Sequence, residues 1–362
     1  MNIKKILLTA IATITISISS NAQTFVSAFD SNIRYTGRYS IVSGKYIRFG
    51  YPGFQIRTVF QGSSLKMKMK PNSGYYMVEI DNQQPHKILF SETDSVTTIA
   101  EGLNNGEHNA TITFITEGLK HRPQFWGFIL DDGCRLPSVP RMPKHRMEFI
   151  GNSITCGFGN EGRSATEKFS YSTQNQYYTY EAITCRNLDS ECLVVARSGI
   201  GIYRNCGGNL AGDKIIMPTV YPYTIYGTQG EKWDFSKYTP EVVCINLGTN
   251  DTSSPKYNHE KFLSSYYNFY KTLRSNYPKA KIVILSGTMI RKGSSREKIL
   301  NELLDKVKEK ANNDGDNEVY RFDMTPEDGS CPWGSCYHPS IMRHEIMAKE
   351  LTAFIKSITN WQ

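Results

Sequence analysis

Residues 145–157 read HRMEFIGNSITCG, a short and mostly apolar run from Met147 to Ile150, broken only by Glu148, that stops at Gly151 and delivers Ser153 two residues later, with Gly157 closing the turn. An apolar run of this length bounded by turn formers reads as a buried strand. A tight turn directly after it would expose the Ser153 hydroxyl and aim backbone N–H groups at one spot. Four more runs of the same kind follow, Cys192 to Val195, Val242 to Leu247, Ile282 to Leu285 and Val319 to Phe322, each separated by a helix-length segment. That alternation predicts a parallel sheet with crossover helices. Asn258 is placed to cap one helix whose Phe262, Tyr266, Phe269, Tyr270 and Leu273 form a core-facing stripe. A last helix follows Pro339, with Met347, Leu351, Phe354, Ile355 and Ile358 on its apolar face.

Upstream the period changes. Ser64 to Lys70 alternates as SLKMKMK, Tyr76 to Ile80 reads YMVEI and Thr111 to Ile115 reads TITFI. Pro71-Asn72-Ser73-Gly74, Asp81-Asn82 and Asn104-Asn105-Gly106 punctuate these runs as turns. Short strands at this spacing predict an antiparallel β-sandwich or jelly roll over residues 23–140. Prolines 137, 140 and 143 mark a linker, and residues 144–362 form the α/β domain. At the start, Lys4 and Lys5 precede an apolar stretch from Ile6 to about Ile18 and then Ser20-Asn21-Ala22. This reads as a signal peptide over residues 1–22, cleaved near Ala22, with no cysteine at the cleavage point to take a lipid. The expectation is a secreted or periplasmic monomer without a membrane anchor.

Composition agrees with two folded domains. The 362 residues are 39% hydrophobic and 12% aromatic, which excludes a disordered chain. The 42 basic and 34 acidic residues leave a net charge of +8 spread without long basic runs, which argues against nucleic acid as the partner. Eight cysteines in an exported chain allow disulfides, with Cys331/Cys336 and Cys185/Cys192 closest in sequence and Cys244 reading as a buried free thiol. No CxxC pair or His/Cys ladder has zinc spacing, so no metal or organic cofactor is expected.

In an open parallel sheet, ligands bind beyond the carboxyl ends of the strands, so the residues just after each strand are where chemistry belongs. Three such places stand out: Ser153, the Gly248-Thr249-Asn250-Asp251 turn, and His338 just before the last helix. Each also has a bland reading, Ser153 as a helix cap, Asn250 and Asp251 as turn residues, His338 as a structural histidine. Taken together with Gly199 in ARSGIG, they resemble the four blocks of the SGNH/GDSL hydrolase superfamily. Ser153 lies in GNSITCG, Gly199 in the second block, Asn250 in GTND and His338 in YHP. With a β-sandwich in front, nearly all of the expected mature chain resembles carbohydrate esterase family 2, two-domain deacetylases.

The resemblance implies an α/β/α SGNH domain and an O-acetyl esterase acting on acetylated polysaccharides or oligosaccharides of the xylan or glucomannan type. Ser153 would be the nucleophile, His338 the base, and the N–H groups of Ser153 and Gly199 with the Asn250 amide the oxyanion hole, Gly201 being the alternative to Gly199. Tyr203, Trp233, Trp333 and Tyr337 are candidates for stacking on sugar faces. One departure matters. Most SGNH enzymes carry an Asp three residues before the His, and here that position is Ser335. Family 2 implies a Ser-His dyad whose His is held by a main-chain carbonyl, which we place within Trp333 to Ser335, in a loop that a Cys331/Cys336 bridge would stiffen. A lipase or thioesterase of the same superfamily, and a sugar-binding protein with a decayed site, are the alternatives.

Overall fold

The computed structural model describes residues 23–225 and 230–362, so the expected signal segment lies outside it. Eleven strands come first: β1 (Gln23–Ser27), β2 (Arg34–Thr36), β3 (Tyr39–Val42), β4 (Tyr46–Phe49), β5 (Gln55–Gly62), β6 (Leu65–Met69), β7 (Tyr75–Ile80), β8 (His86–Leu89), β9 (Val96–Ala100), β10 (Gly106–Phe114) and β11 (Gln124–Asp131). They form two antiparallel sheets, β3-β4-β11-β6-β9 with β1 beside β11, and β2-β5-β10-β7-β8. The alternation in β6 explains the packing. Leu65, Met67 and Met69 are buried while Lys66 and Lys68 point away, and the inward residues meet Val78 and Ile112 of the opposite sheet in one core. The turns behave as their composition demands, with Asn72, Asp81 and Asn82 all at positive φ.

The second domain holds a parallel sheet of five strands, β12 (His145–Gly151), β13 (Ser190–Ala196), β14 (Val242–Asn246), β15 (Lys281–Ser286) and β16 (Val319–Asp323), in the order β13-β12-β14-β15-β16. Its helices are α1 (Ser153–Cys156), α2 (Tyr180–Asn187), α3 (Met217–Val220), α4 (His259–Asn276), α5 (Ser295–Asn313) and α6 (Ile341–Thr359). Alternate residues of each strand feed two separate cores. Ile150, Val243, Ile245, Ile282 and Ile284 meet Phe262, Tyr266 and Leu304 of α4 and α5. Phe149, Cys244, Val283 and Leu285 meet Tyr180, Met347 and Leu351 of α2 and α6. Burial on both faces is what makes these strands continuous apolar runs and gives three layers. Asn258 caps α4 by accepting from Lys261 N at 2.9 Å, and all five residues of the expected stripe are buried.

The two domains share a polar seam buried from water. Arg38, just before β3, donates to Glu148 of β12 at 3.1 Å with both side chains fully buried, and its guanidinium lies 4.5 Å from the Tyr221 ring centroid. Thr36 donates to Glu191 of β13 at 2.8 Å. Where the loops after β4 and β10 cross, Gly118 N donates to Gly50 O at 2.9 Å, and a Cβ on Gly118 would sit 2.5 Å from that oxygen. Among the described residues, no helix is long and apolar enough to cross a membrane.

Removing one partner of a buried ion pair strands the other charge, which typically costs about 3–5 kcal/mol. We therefore expect Arg38→Met, which leaves Glu148 uncompensated, to lower unfolding free energy by about that amount in guanidinium titrations. A shift under about 1 kcal/mol would show the pair to be dispensable.

Candidate active site

The GNS turn after β12 folds into the one-turn helix α1 because Asn152 caps it, its Oδ1 accepting from Ile154 N at 3.0 Å. The Ser153 N–H is left at the mouth of the helix without an acceptor among the described residues, and the side chain is 6% exposed. His338 arrives from the far end of the chain. Its Nε2 lies 2.9 Å from Ser153 Oγ, and its ring sits 4.4 Å from Phe158, which in turn stacks on Phe169.

The other ring nitrogen decides the direction of that contact. His338 Nδ1 is 3.0 Å from the Cys336 carbonyl oxygen. A carbonyl can only accept, so Nδ1 carries the proton and Nε2 presents its lone pair to the Ser153 hydroxyl. The holding carbonyl is thus Cys336, one residue beyond the expected span of Trp333 to Ser335. The reason is local: Cys336 and Tyr337 both take left-handed backbone, φ 52° and 57°, and this curl turns the Cys336 carbonyl back onto the imidazole two residues on. Ser335 O instead accepts the His338 backbone N–H at 3.2 Å.

Gly199 sits where the loop after β13 turns, at φ +79°, with open space where a side chain would be. Its N–H has no acceptor among the described residues. Gly201 is excluded as an alternative donor, because its N–H goes to Asn205 Oδ1 at 3.1 Å. Asn250 gives one amide proton to Ile200 O at 2.8 Å and has a second to offer. Asp251 beside it is not a cap. Its buried carboxylate accepts from the N–H groups of Ile202, Tyr203 and Arg204 at 2.9–3.1 Å, and burial pushes its pKa up to about 6. This joins the second and third blocks into one unit, a role that the sequence did not reveal.

Of the residues proposed to stack on sugar, Tyr203 and Trp233 are buried in the hydrolase core. Tyr203 instead accepts from Asn258 N at 2.8 Å and braces the start of α4. Trp333 and Tyr337 stay at the surface with rings 6.0 Å apart, Tyr337 being 57% exposed, and they line a cleft of about 650 Å³ together with Met289 and Arg291. All eight cysteines are free thiols, including both expected pairs. Cys336 Sγ faces Glu167 O, while Cys331 is buried beside Ser330, so the loop is held by other means. Gly334 N donates to His338 O and Ser335 N to Gly159 O. Among the described residues, no group of three or more His, Cys, Asp or Glu is placed to hold a metal ion.

Two family models match the chain, Carbohydrate esterase 2 N-terminal over residues 35–140 and GDSL-like Lipase/Acylhydrolase over residues 147–351. The structure of a family two carbohydrate esterase from Clostridium thermocellum, in complex with cellohexaose, superposes with a TM-score of 0.84 at 34% identity, covering 91% of this chain and all of that one. The chain belongs to carbohydrate esterase family 2. This family 2 esterase is also 35% identical over 330 residues to the cellulase/esterase CelE of Acetivibrio thermocellus, spanning 91% of its own length and 40% of that protein. It is 27% identical to an acetylxylan esterase / glucomannan deacetylase of Cellvibrio japonicus, covering 95% and 94% of the two chains. It is a carboxylic ester hydrolase, and its architecture of an antiparallel domain followed by a parallel α/β domain is that of the family.

In this family 2 esterase the imidazole is shielded by Phe158 and packed under the loop, and burial pulls the His338 pKa down to about 4 despite the opposing pull of the Cys336 carbonyl. A base must be neutral to take a proton. With the folded-state pKa depressed, the neutral form persists as pH falls and is lost only near that value. We expect kcat/KM for an acetyl ester to stay level from pH 7 to about 5 and to fall below it. A midpoint near the ordinary histidine value of about 6.5 would contradict this geometry.

Proposed function

We propose that this esterase is an exported O-acetyl esterase that removes acetyl groups from acetylated plant polysaccharides or their oligosaccharides, xylan and glucomannan types, through a Ser153–His338 dyad. The observation that carries the reading is the 2.9 Å contact between Nε2 and Oγ with the tautomer set from behind by a carbonyl. Ser153 Oγ attacks the acetyl carbonyl carbon as Nε2 takes its proton. The carbonyl oxygen becomes an oxyanion within reach of the Ser153 and Gly199 N–H groups and the free Asn250 amide proton. The tetrahedral intermediate then expels the sugar oxygen, which His338 protonates, leaving acetyl-Ser153. Water, deprotonated by the same nitrogen, repeats the sequence and releases acetate.

Replacing the orienting Asp of a triad by Asn costs about 10⁴ in turnover because it enforces the wrong tautomer. A carbonyl enforces the right one, so the dyad forgoes only the carboxylate's charge. Trp333 and Tyr337 supply flat amphipathic rings beside the base, suited to the apolar faces of sugar residues. Two relatives support the substrate class, one an acetylxylan esterase / glucomannan deacetylase and the other a family two esterase in complex with cellohexaose. Export is supported by Lys4 and Lys5 ahead of the apolar stretch that ends near Ile18.

The test is acetate release from acetylated xylan, acetylated glucomannan and acetylated monosaccharides, with chain length varied from acetate to decanoate on 4-nitrophenyl esters. We expect polysaccharide deacetylation, a steep preference for acetate, and a loss of about 10⁴-fold or more in Ser153→Ala. Wild-type turnover in Ser153→Ala would refute the mechanism. A preference for decanoate would make the protein a lipase, and sugar binding without turnover a lectin-like remnant.

A further inference from the structure

A carboxylate from the sandwich domain lies directly beneath the oxyanion loop. Glu117 follows β10, in the loop where Gly118 meets Gly50, and it is 5% exposed. Its Oε1 accepts from Ser198 N at 2.7 Å and its Oε2 from Ser198 Oγ at 2.5 Å. Ser198 is the residue immediately before Gly199. The same carboxylate reaches α1 through Gln174, whose Nε2 lies 3.5 Å from Oε2 and donates to Cys156 O at 3.0 Å. Cys156 is the last residue of the short helix that begins at Ser153.

One acceptor from the other domain therefore holds the segment before Gly199 directly and reaches the Ser153 helix through the Gln174 amide. The turn at Arg197 to Ile200, closed by Ile200 N on Arg197 O, needs Gly199 at positive φ. A free loop of this kind can flip the peptide before its glycine. Pinning the Ser198 N–H from one side and its hydroxyl from the same carboxylate fixes the plane from which the Gly199 N–H projects. Burying a carboxylate is expensive unless its oxygens are satisfied, and here the donors that satisfy it are the parts of the site that must not move. The Arg197 guanidinium adds opposing charge, while burial raises the pKa of the carboxyl.

We propose that Glu117 is a positioning residue for the oxyanion hole, so that the sandwich domain completes the catalytic centre of the hydrolase domain. The assignment rests on the Ser153–Gly199 reading above. It predicts that what is lost without Glu117 is stabilisation of the transition state, which lowers kcat and spares KM.

The test compares the full chain with Glu117→Met, which has similar length and no oxygen acceptor, Glu117→Gln, which keeps an acceptor for the Ser198 N–H, and Ser198→Ala, which keeps the N–H contact alone. Thr36→Val, at the other end of the seam, controls for general loosening of the two domains. Steady-state hydrolysis of 4-nitrophenyl acetate is read well below each variant's thermal midpoint. For Glu117→Met we expect kcat to fall about 10- to 100-fold with KM within about threefold, since misplacing a donor by about 1 Å costs that much. Glu117→Gln and Ser198→Ala should fall between Glu117→Met and wild type, and Thr36→Val should lower the midpoint while leaving kcat within about twofold. Wild-type kcat in Glu117→Met overturns the proposal, as does a fall matched by Thr36→Val. If Glu117→Met does not fold, unchanged kcat in both Glu117→Gln and Ser198→Ala overturns it, and a fall in either at constant KM supports it. Ser153→Ala is run alongside. Its inactivity with wild-type kcat in the Glu117 variants sinks this proposal alone, whereas activity in Ser153→Ala sinks the nucleophile assignment and this proposal with it.

Discussion

The hydrogen bond from His338 Nδ1 to the Cys336 carbonyl is the constraint on which the site depends. It selects the tautomer, which leaves Nε2 to accept from the Ser153 hydroxyl, the contact on which the proposed mechanism rests. A carbonyl brings a dipole where a carboxylate would bring a full charge. It offers less to an imidazolium, so the burial that depresses the histidine pKa is not offset by an anion. The consequence is an imidazole that is neutral at neutral pH, the form the proposed mechanism needs. For an acetyl ester with a sugar leaving group, whose barrier lies largely in forming the oxyanion, a well-placed set of N–H donors carries more of the burden than a strong base.

The segments proposed to carry such donors are held by contacts both within the hydrolase and across the domain boundary. Asp251 welds the second block to the third from within the hydrolase, and Glu117 reaches the second block from the sandwich. The polar seam of Arg38, Glu148, Thr36 and Glu191 then sets how the two cores sit together. Buried polar contacts of this kind add little net stability compared with apolar packing, and their value is in specifying one arrangement. The sandwich is thus read as part of the enzyme's architecture at the level of individual hydrogen bonds.

Much of this was legible in the residues. Both periods, alternation in LKMKM and continuous apolar runs in the later strands, name their sheet types because burial on one face or on two leaves different patterns. Ser153, Asn250 and His338 stand out because they fall just past strand ends, where a parallel sheet places ligands, whereas Gly199 is marked only by the family resemblance. What escaped detection depends on partners remote in sequence. Glu117 and Ser198 are 81 positions apart, and nothing local marks either. Asp251 looked like a turn residue because its three N–H partners lie 47 to 49 positions away. Tyr203 reads as a sugar-stacking candidate because its ring is flat and amphipathic, whereas its hydroxyl faces inward to brace Asn258. The carbonyl was misplaced by one residue because two successive left-handed residues, neither of them glycine, are not written in their side chains.

The left-handed pair at Cys336 and Tyr337 has a consequence for how this enzyme can vary. Where a carboxylate orients the base, a single nucleotide change can delete the orienting group. Here the group belongs to the peptide itself, so every amino acid at position 336 carries it, and the thiol is free to drift without touching the tautomer. Vulnerability moves from chemistry to shape. The replacements to be feared in this loop are β-branched residues or proline, which resist or forbid positive φ and would swing the carbonyl away. The orientation of His338 is thereby shielded from most point changes next to it and exposed to those that straighten the chain.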